Sequence, residues 1–179
     1  MRVEFKLSAA IVAAVLAAPV VAQGTISYAE AWAAAAKVDP NAEVCSEKSG
    51  DEAIAGCTAA IQSGKLRGVT LAIVFYGRGF EYQNQKDFTR AIADYSEAIR
   101  LDPNRDGAFY NRAGIYYSQK DYARAIADYT EAIRIKPQDA PTLHNRGQAK
   151  RLLGQTADGD ADIARACAMD AEYCEEQGR

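Results

Sequence analysis

Apolar side chains recur at spacings of three and four in two stretches of the chain. Phe88, Ala91, Ile92, Tyr95, Ala98 and Ile99 mark one stripe; Tyr122, Ala125, Ile126, Tyr129, Ala132 and Ile133 mark the second. This period predicts amphipathic helices, stopped by Pro103 and Pro137. The two stretches are near-copies: 87–103 and 121–137 are identical at 12 of 17 positions. A partial third copy, DEAIAGCTAAI, starts at Asp51. Nearer the N-terminus, Ser27 is placed to cap a helix through Val38, with Tyr28, Ala31, Trp32 and Ala35 at helical spacing. Asp39-Pro40-Asn41 reads as its end, and a polar loop containing Cys45 as the link to the helix from Asp51.

Ahead of each near-copy stand Phe75, Gly79 and Tyr82, then Phe109, Ala113 and Tyr116, at the same offset as the stripes. A helix–turn–helix period of about 34 residues with this pattern resembles the tetratricopeptide repeat (TPR) family. One copy spans residues 72–105 and the next 106–139. A third, 140–173, is worn: Leu143 and Gly147 fit, Lys150 stands where an aromatic belongs, and Gly159, Ile163 and Ala166 follow. Residues 23–71 hold the N-terminal helix, the Cys loop and a degenerate first repeat, and 174–179 form a tail. The resemblance implies an all-α fold, a right-handed α-solenoid of helix–turn–helix units whose degenerate terminal repeats protect its ends. It is nearest to small exported bacterial TPR proteins with a Cys-containing first unit.

Export is the expectation from residues 1–22. Arg2 and Lys6 precede a run of small and apolar residues from Leu7 to Ala22, and Val20-Val21-Ala22 suits signal-peptidase cleavage before Gln23. That run is shorter than the roughly 20 residues a membrane span needs. A periplasmic or secreted location follows, and it changes the meaning of the four cysteines. In an oxidising compartment Cys45, Cys57, Cys167 and Cys174 are expected in disulfides. Three connectivities exist; Cys45–Cys57 and Cys167–Cys174 close short loops and would staple the two ends. The second pair requires the last helix to end near Met169 or Asp170, because continuous helix from Cys167 to Cys174 would span about 10 Å.

Charge and chemistry narrow the function. Arg78, Arg112 and Arg146 recur once per repeat, and so do Asp94, Asp128 and Asp162, each at one fixed interval after its Arg. Such matched recurrence predicts structural ion pairs, since a buried charge needs a partner. Under the family resemblance, Asn111 and Asn145 face the concave surface, where members use Asn to hydrogen-bond an extended peptide backbone; Gly77 replaces the first rung. Tyr76, Tyr110 and His144 would line that groove, extended by Phe80, Gln148 and Asn84. The family's carboxylate clamp is not reproduced, because Tyr76 and Phe80 stand at its basic and amide positions. No nucleophile motif accompanies His144, the single histidine. No C-x-x-C occurs, and the acidic residues Asp158, Asp160 and Asp162 lack the Gly and distal Glu of a calcium loop. Neither an enzyme nor a metal or cofactor is therefore expected. A net charge of −3 gives no general attraction to nucleic acid or anionic membranes, and no membrane span is expected once the signal is removed. The expected function is an exported scaffold binding a protein or extended peptide on its concave face. The alternative is an assembly subunit of an envelope complex, acting through convex or terminal surfaces.

Overall fold

The computed structural model describes residues 26–174, so the expected signal peptide (1–22) and residues 175–179 lie outside the described residues. Nine α-helices occur among the described residues. They are α1 (Tyr28–Val38), α2 (Pro40–Glu47), α3 (Gly50–Gln62), α4 (Gly68–Asn84), α5 (Phe88–Leu101), α6 (Asp106–Ser118), α7 (Tyr122–Ile135), α8 (Ala140–Leu152) and α9 (Thr156–Met169). A 3-10 turn, Ala171–Tyr173, follows. Helices α4/α5, α6/α7 and α8/α9 form hairpins, and α5 packs on α6 and α7 on α8 to stack them. The result is an all-α solenoid.

Local chemistry repeats with the sequence. Asp87 and Asp121 cap α5 and α7, accepting the backbone N–H of Arg90 at 3.0 Å and of Arg124 at 3.1 Å. Each hairpin turns through positive φ at Lys86 (61°), Lys120 (63°) and Gly154 (88°). The following N–H then bonds back to the first helix: Asp87 to Tyr82 at 2.8 Å, Asp121 to Tyr116 at 2.9 Å and Gln155 to Lys150 at 2.9 Å. Inside the hairpins, alanines at the crossings, such as Ala91, Ala98 and Ala125, are fully buried beside Tyr95 and Tyr129. Gly147 and Gly159 bring α8 and α9 closest. A Cβ on either would lie 2.6–2.7 Å from the carbonyl oxygen of the other.

The N-terminal region departs from the reading of a polar loop around Cys45. Cys45 lies on a helix, α2. Pro40 occupies its first turn, where a missing N–H removes no intrahelical bond. Asp39 both ends α1 and caps α2, accepting the N–H of Asn41 at 2.9 Å. Helix α2 pairs with α3, where a Cβ at Gly56 would come within 2.8 Å of the Val44 side chain. Cys45 and Cys57 bridge the two helices, with Cα atoms 4.6 Å apart. Helix α2 thus takes the first-helix place beside α3, while α1 packs mainly on α2 and α4. Helix α4 runs 17 residues against 13 for α6 and starts at Gly68, one turn before Ala72. At the other end α9 stops at Met169, and the 3-10 turn returns Cys174 to Cys167, Cα to Cα 4.4 Å.

Charged groups tie each hairpin to its predecessor. Arg78, Arg112 and Arg146 each grip an aspartate of the adjoining helix with two parallel bonds of 2.7–2.8 Å, to Asp94, Asp128 and Asp162 respectively. The remaining guanidinium nitrogen donates to a hydroxyl on the previous hairpin: Thr58 at 3.1 Å, Ser96 at 2.8 Å and Thr130 at 3.2 Å. The three aspartates are buried. Lys150, which replaces the aromatic of the other copies, donates to Asp162 at 2.8 Å.

Two outcomes are expected. Arg112→Ala leaves Asp128 without its partner and lowers unfolding free energy by about 2–4 kcal/mol, read by denaturant titration; Arg112→Lys recovers only part of it. Burial alone raises the Asp162 pKa, but hydrogen bonds from Arg146 and Lys150, with their charges, outweigh it and hold the carboxyl below its usual range. A carboxyl with a depressed folded pKa stabilises the fold above its unfolded value and loses that contribution as pH falls through the folded one. Denaturation between pH 7 and pH 2 is expected to show stability falling below about pH 4, with a shallower fall in Asp162→Asn.

Candidate functional site

The first helices of the hairpins, α4, α6 and α8, carry the candidate groove residues once per repeat, so stacking sets them side by side. Tyr76, Tyr110 and His144 form one row, each half-buried. Asn111 and Asn145 stand one residue on, and each reaches back one hairpin. Asn111 Nδ2 donates to Tyr76 Oη at 3.2 Å, and Asn145 Nδ2 donates to Tyr110 Oη at 3.1 Å. Each amide nitrogen is thereby fixed by a tyrosine whose ring leans on the second helix of its own hairpin: Tyr76 on Tyr95 and Tyr110 on Tyr129, centroids 5.8 Å apart in both cases. Burial raises the pKa of Tyr76, so its hydroxyl keeps its proton at neutral pH.

The missing first rung has a steric cause. Gly77 stands where the other hairpins have Asn, and a Cβ there would come within 2.8 Å of the Trp32 ring. Helix α1 lies against this part of α4. Its Tyr28 meets Tyr76 edge-on at 5.3 Å, with the Arg105 guanidinium 4.7 Å from its centroid. Helix α1 therefore covers the face of α4 around Tyr76 and Gly77.

Two hollows lie near these residues. One, of about 470 Å³, is lined by Tyr117, Tyr129, His144, Asn145 and Gln148. Another, of about 420 Å³, lies between hairpins at Asn84, Phe88, Gly114 and Ser118. Phe80 is 44% exposed. Gly114 takes the equivalent place in the next repeat and supplies no side chain; Gln148 follows in the third, with its Nε2 3.5 Å from His144 Nε2. The structure thus brings His144, Asn145 and Gln148 together around one hollow, while Phe80 lines neither. Tyr117, Tyr129 and Tyr173 were absent from the sequence-derived set. Tyr129 reads as core in the apolar stripe; Tyr173 packs its ring 5.4 Å from His144, a contact created by the turn that returns Cys174 to Cys167. Among the described residues, no group of three or more His, Cys, Asp or Glu side chains is placed to hold a metal ion, and no helix is long and apolar enough to cross a membrane.

The family model that matches the chain is that of the tetratricopeptide repeat, over residues 76–140. Residues 76–140 are tetratricopeptide repeats. No curated protein sequence matches significantly. Among solved structures, the second TPR of Spaghetti (RPAP3), bound to the HSP90 peptide SRMEEVD, is 26% identical, with a TM-score of 0.54. That match covers 55% of this chain and 92% of the other. MamA from Desulfovibrio magneticus RS-1 is 19% identical with a TM-score of 0.65, covering 84% of this chain and 81% of its own. YrrB, described as a TPR protein with an unusual peptide-binding site, is 15% identical with a TM-score of 0.59, covering 68% and 60%. The last two likenesses concern the fold alone.

Within the TPR segment, α6 presents Tyr110, Asn111 and Gly114 to this face. Helix α1 is a further element laid on the first repeat helices, and the Trp32–Gly77 contact is what lets it approach. Gly77→Ala is expected to displace that ring, costing about 1–3 kcal/mol. Because Trp32 is the single tryptophan, its fluorescence reports the change directly: a red-shifted emission with a lower unfolding midpoint is the expected result.

Proposed function

We propose that the protein is an exported, non-enzymatic interaction scaffold, periplasmic or secreted. It holds an extended segment of a partner protein on the concave face formed by α4, α6 and α8. The observation that carries this reading is the pair of tyrosine-fixed amides. With its nitrogen engaged by Tyr76 or Tyr110, each Asn offers its carbonyl oxygen to a peptide N–H at a spacing set by the repeat. Such preorganisation limits the entropy lost when a ligand orders the face. Support comes also from the RPAP3 repeat domain, whose structure is that of a complex with a peptide. The two short cysteine loops agree with an oxidising compartment.

The test uses a partner captured from envelope extract under non-reducing conditions. A hydrogen bond is worth about 0.5–1.5 kcal/mol, so Asn111→Ala/Asn145→Ala is expected to weaken the complex several-fold to about a hundredfold. Tyr76→Phe/Tyr110→Phe removes the hydroxyls that orient the amides and is expected to weaken it less, with the fold intact. If both variants bind like wild type while changes on the second-helix surface abolish binding, the assembly reading replaces this one.

A further inference from the structure

We propose that a hollow at Tyr110 and Pro141 is a socket for an aromatic side chain presented by a bound partner segment. The assignment rests on the repeat face being the binding face, and its template is the protein's own α1. Tyr28 shows how one ring seats between neighbouring hairpins. It meets Tyr76 edge-on, lies by the Arg105 guanidinium, and sets its hydroxyl against Gly107. A Cβ at Gly107 would collide with that hydroxyl, so glycine there makes the depth of the socket.

One repeat along, Tyr110, Asp139 and Pro141 occupy the places that Tyr76, Arg105 and Gly107 hold in the first socket. They border a hollow of about 260 Å³, together with Asp106, Gly107, Ala132, Lys136 and Thr142. That is smaller than the sites of about 300–1,000 Å³ that hold drug-sized ligands and suits one side chain. No residue of the described chain plays the part of Tyr28 there. The edge-on aromatic partner is retained in Tyr110. The cation is retained as well, with the order of its ion pair reversed: Asp102–Arg105, at 2.8 Å, becomes Lys136–Asp139, at 2.6 Å. An ammonium thus borders the ring position where a guanidinium does in the first socket, and a positive charge favours an aromatic face.

Pro141 changes the specificity. It has no backbone N–H to meet a hydroxyl, and its ring takes the depth that Gly107 leaves open. A phenol there finds no backbone N–H at Pro141, while the Asp106 and Asp139 carboxylates on the lining can still accept from it. The second socket therefore takes an aromatic ring without requiring a hydroxyl on it.

The experiment titrates N-acetyl-phenylalaninamide, N-acetyl-tyrosinamide and N-acetyl-leucinamide into the ¹⁵N-labelled, disulfide-intact protein. The phenylalanine probe is expected to shift Tyr110, Lys136 and Thr142 amides, with a Kd on the order of 1–10 mM for a single ring. The leucine probe is expected to bind several-fold more weakly than either aromatic one, and Lys136→Met to weaken binding of the phenylalanine probe. Tyr28→Ala opens the first socket, where the tyrosine probe should shift Tyr76 and Gly107; if that variant does not fold, the wild-type titration alone decides. Absence of shifts around Tyr110, or equal binding of the leucine probe, overturns the proposal. If the probe seats but Asn111→Ala/Asn145→Ala binds the partner like wild type, the socket stands and the groove reading falls. If the probe fails while that variant loses the partner, the groove reading stands and the socket falls.

Discussion

The solenoid depends on one interaction repeated three times: an arginine that grips an aspartate across its own hairpin and donates to a hydroxyl of the hairpin before. Arg78, Arg112 and Arg146 each join three helices through three bonds. Apolar contacts are roughly proportional to area and tolerate sliding, so alanine-rich crossings alone set no register between helices. A bidentate guanidinium–carboxylate pair does, because its geometry is planar and fixed. Once the hairpins are in register, the row of Tyr76, Tyr110 and His144 and the two amides fall into line without further specification. Arg78, Arg112 and Arg146 therefore shape the binding face without belonging to it.

The first hairpin modifies that plan. Its hydroxyl, Thr58, lies 20 residues before Arg78, whereas Ser96 and Thr130 lie 16 before Arg112 and Arg146. The four additional residues appear as the extra first turn of α4, and beside it α1 lies across α2 and α4. A glycine at 77 and a tyrosine at 28 are the local adaptations. The end of the repeat face is thus finished by the chain itself, and the amide-bearing part begins at α6.

The fold was legible in the sequence to the extent that repetition carried it. The near-copies that begin at Asp87 and Asp121 disclosed the period, the helices and the solenoid class, and the family match and the solved relatives agree with that class. Single-copy features were less legible. Pro40 reads as a helix stop, yet Pro at the first turn also starts one, and only the docking of α2 on α3 decides between them. The place of Trp32 depends on α1 crossing to α4, a tertiary choice that local spacing does not encode. At the site, the constant repeat offset predicted which residues share a face, whereas the bonds from Asn111 to Tyr76 and from Asn145 to Tyr110 depend on an inter-repeat step that no linear pattern displays. Tyr173 enters through a turn whose path follows from the chain beyond the last repeat.

Stacked repeats are coupled only to their neighbours, so their weakest points are the two ends, where a unit has one flank unsupported and can fray without disturbing the rest. Both cysteine pairs sit there, Cys45–Cys57 on the first hairpin and Cys167–Cys174 beyond the last helix. A cross-link at a free end removes the cheapest route of partial opening and leaves only routes that begin between repeats, where an arginine clamp must break. Where opening and closing are fast relative to cleavage, susceptibility to nicking tracks the population of such open states. Covalent bonds at the two ends of the described helices therefore act on the open states through which a stacked chain is attacked.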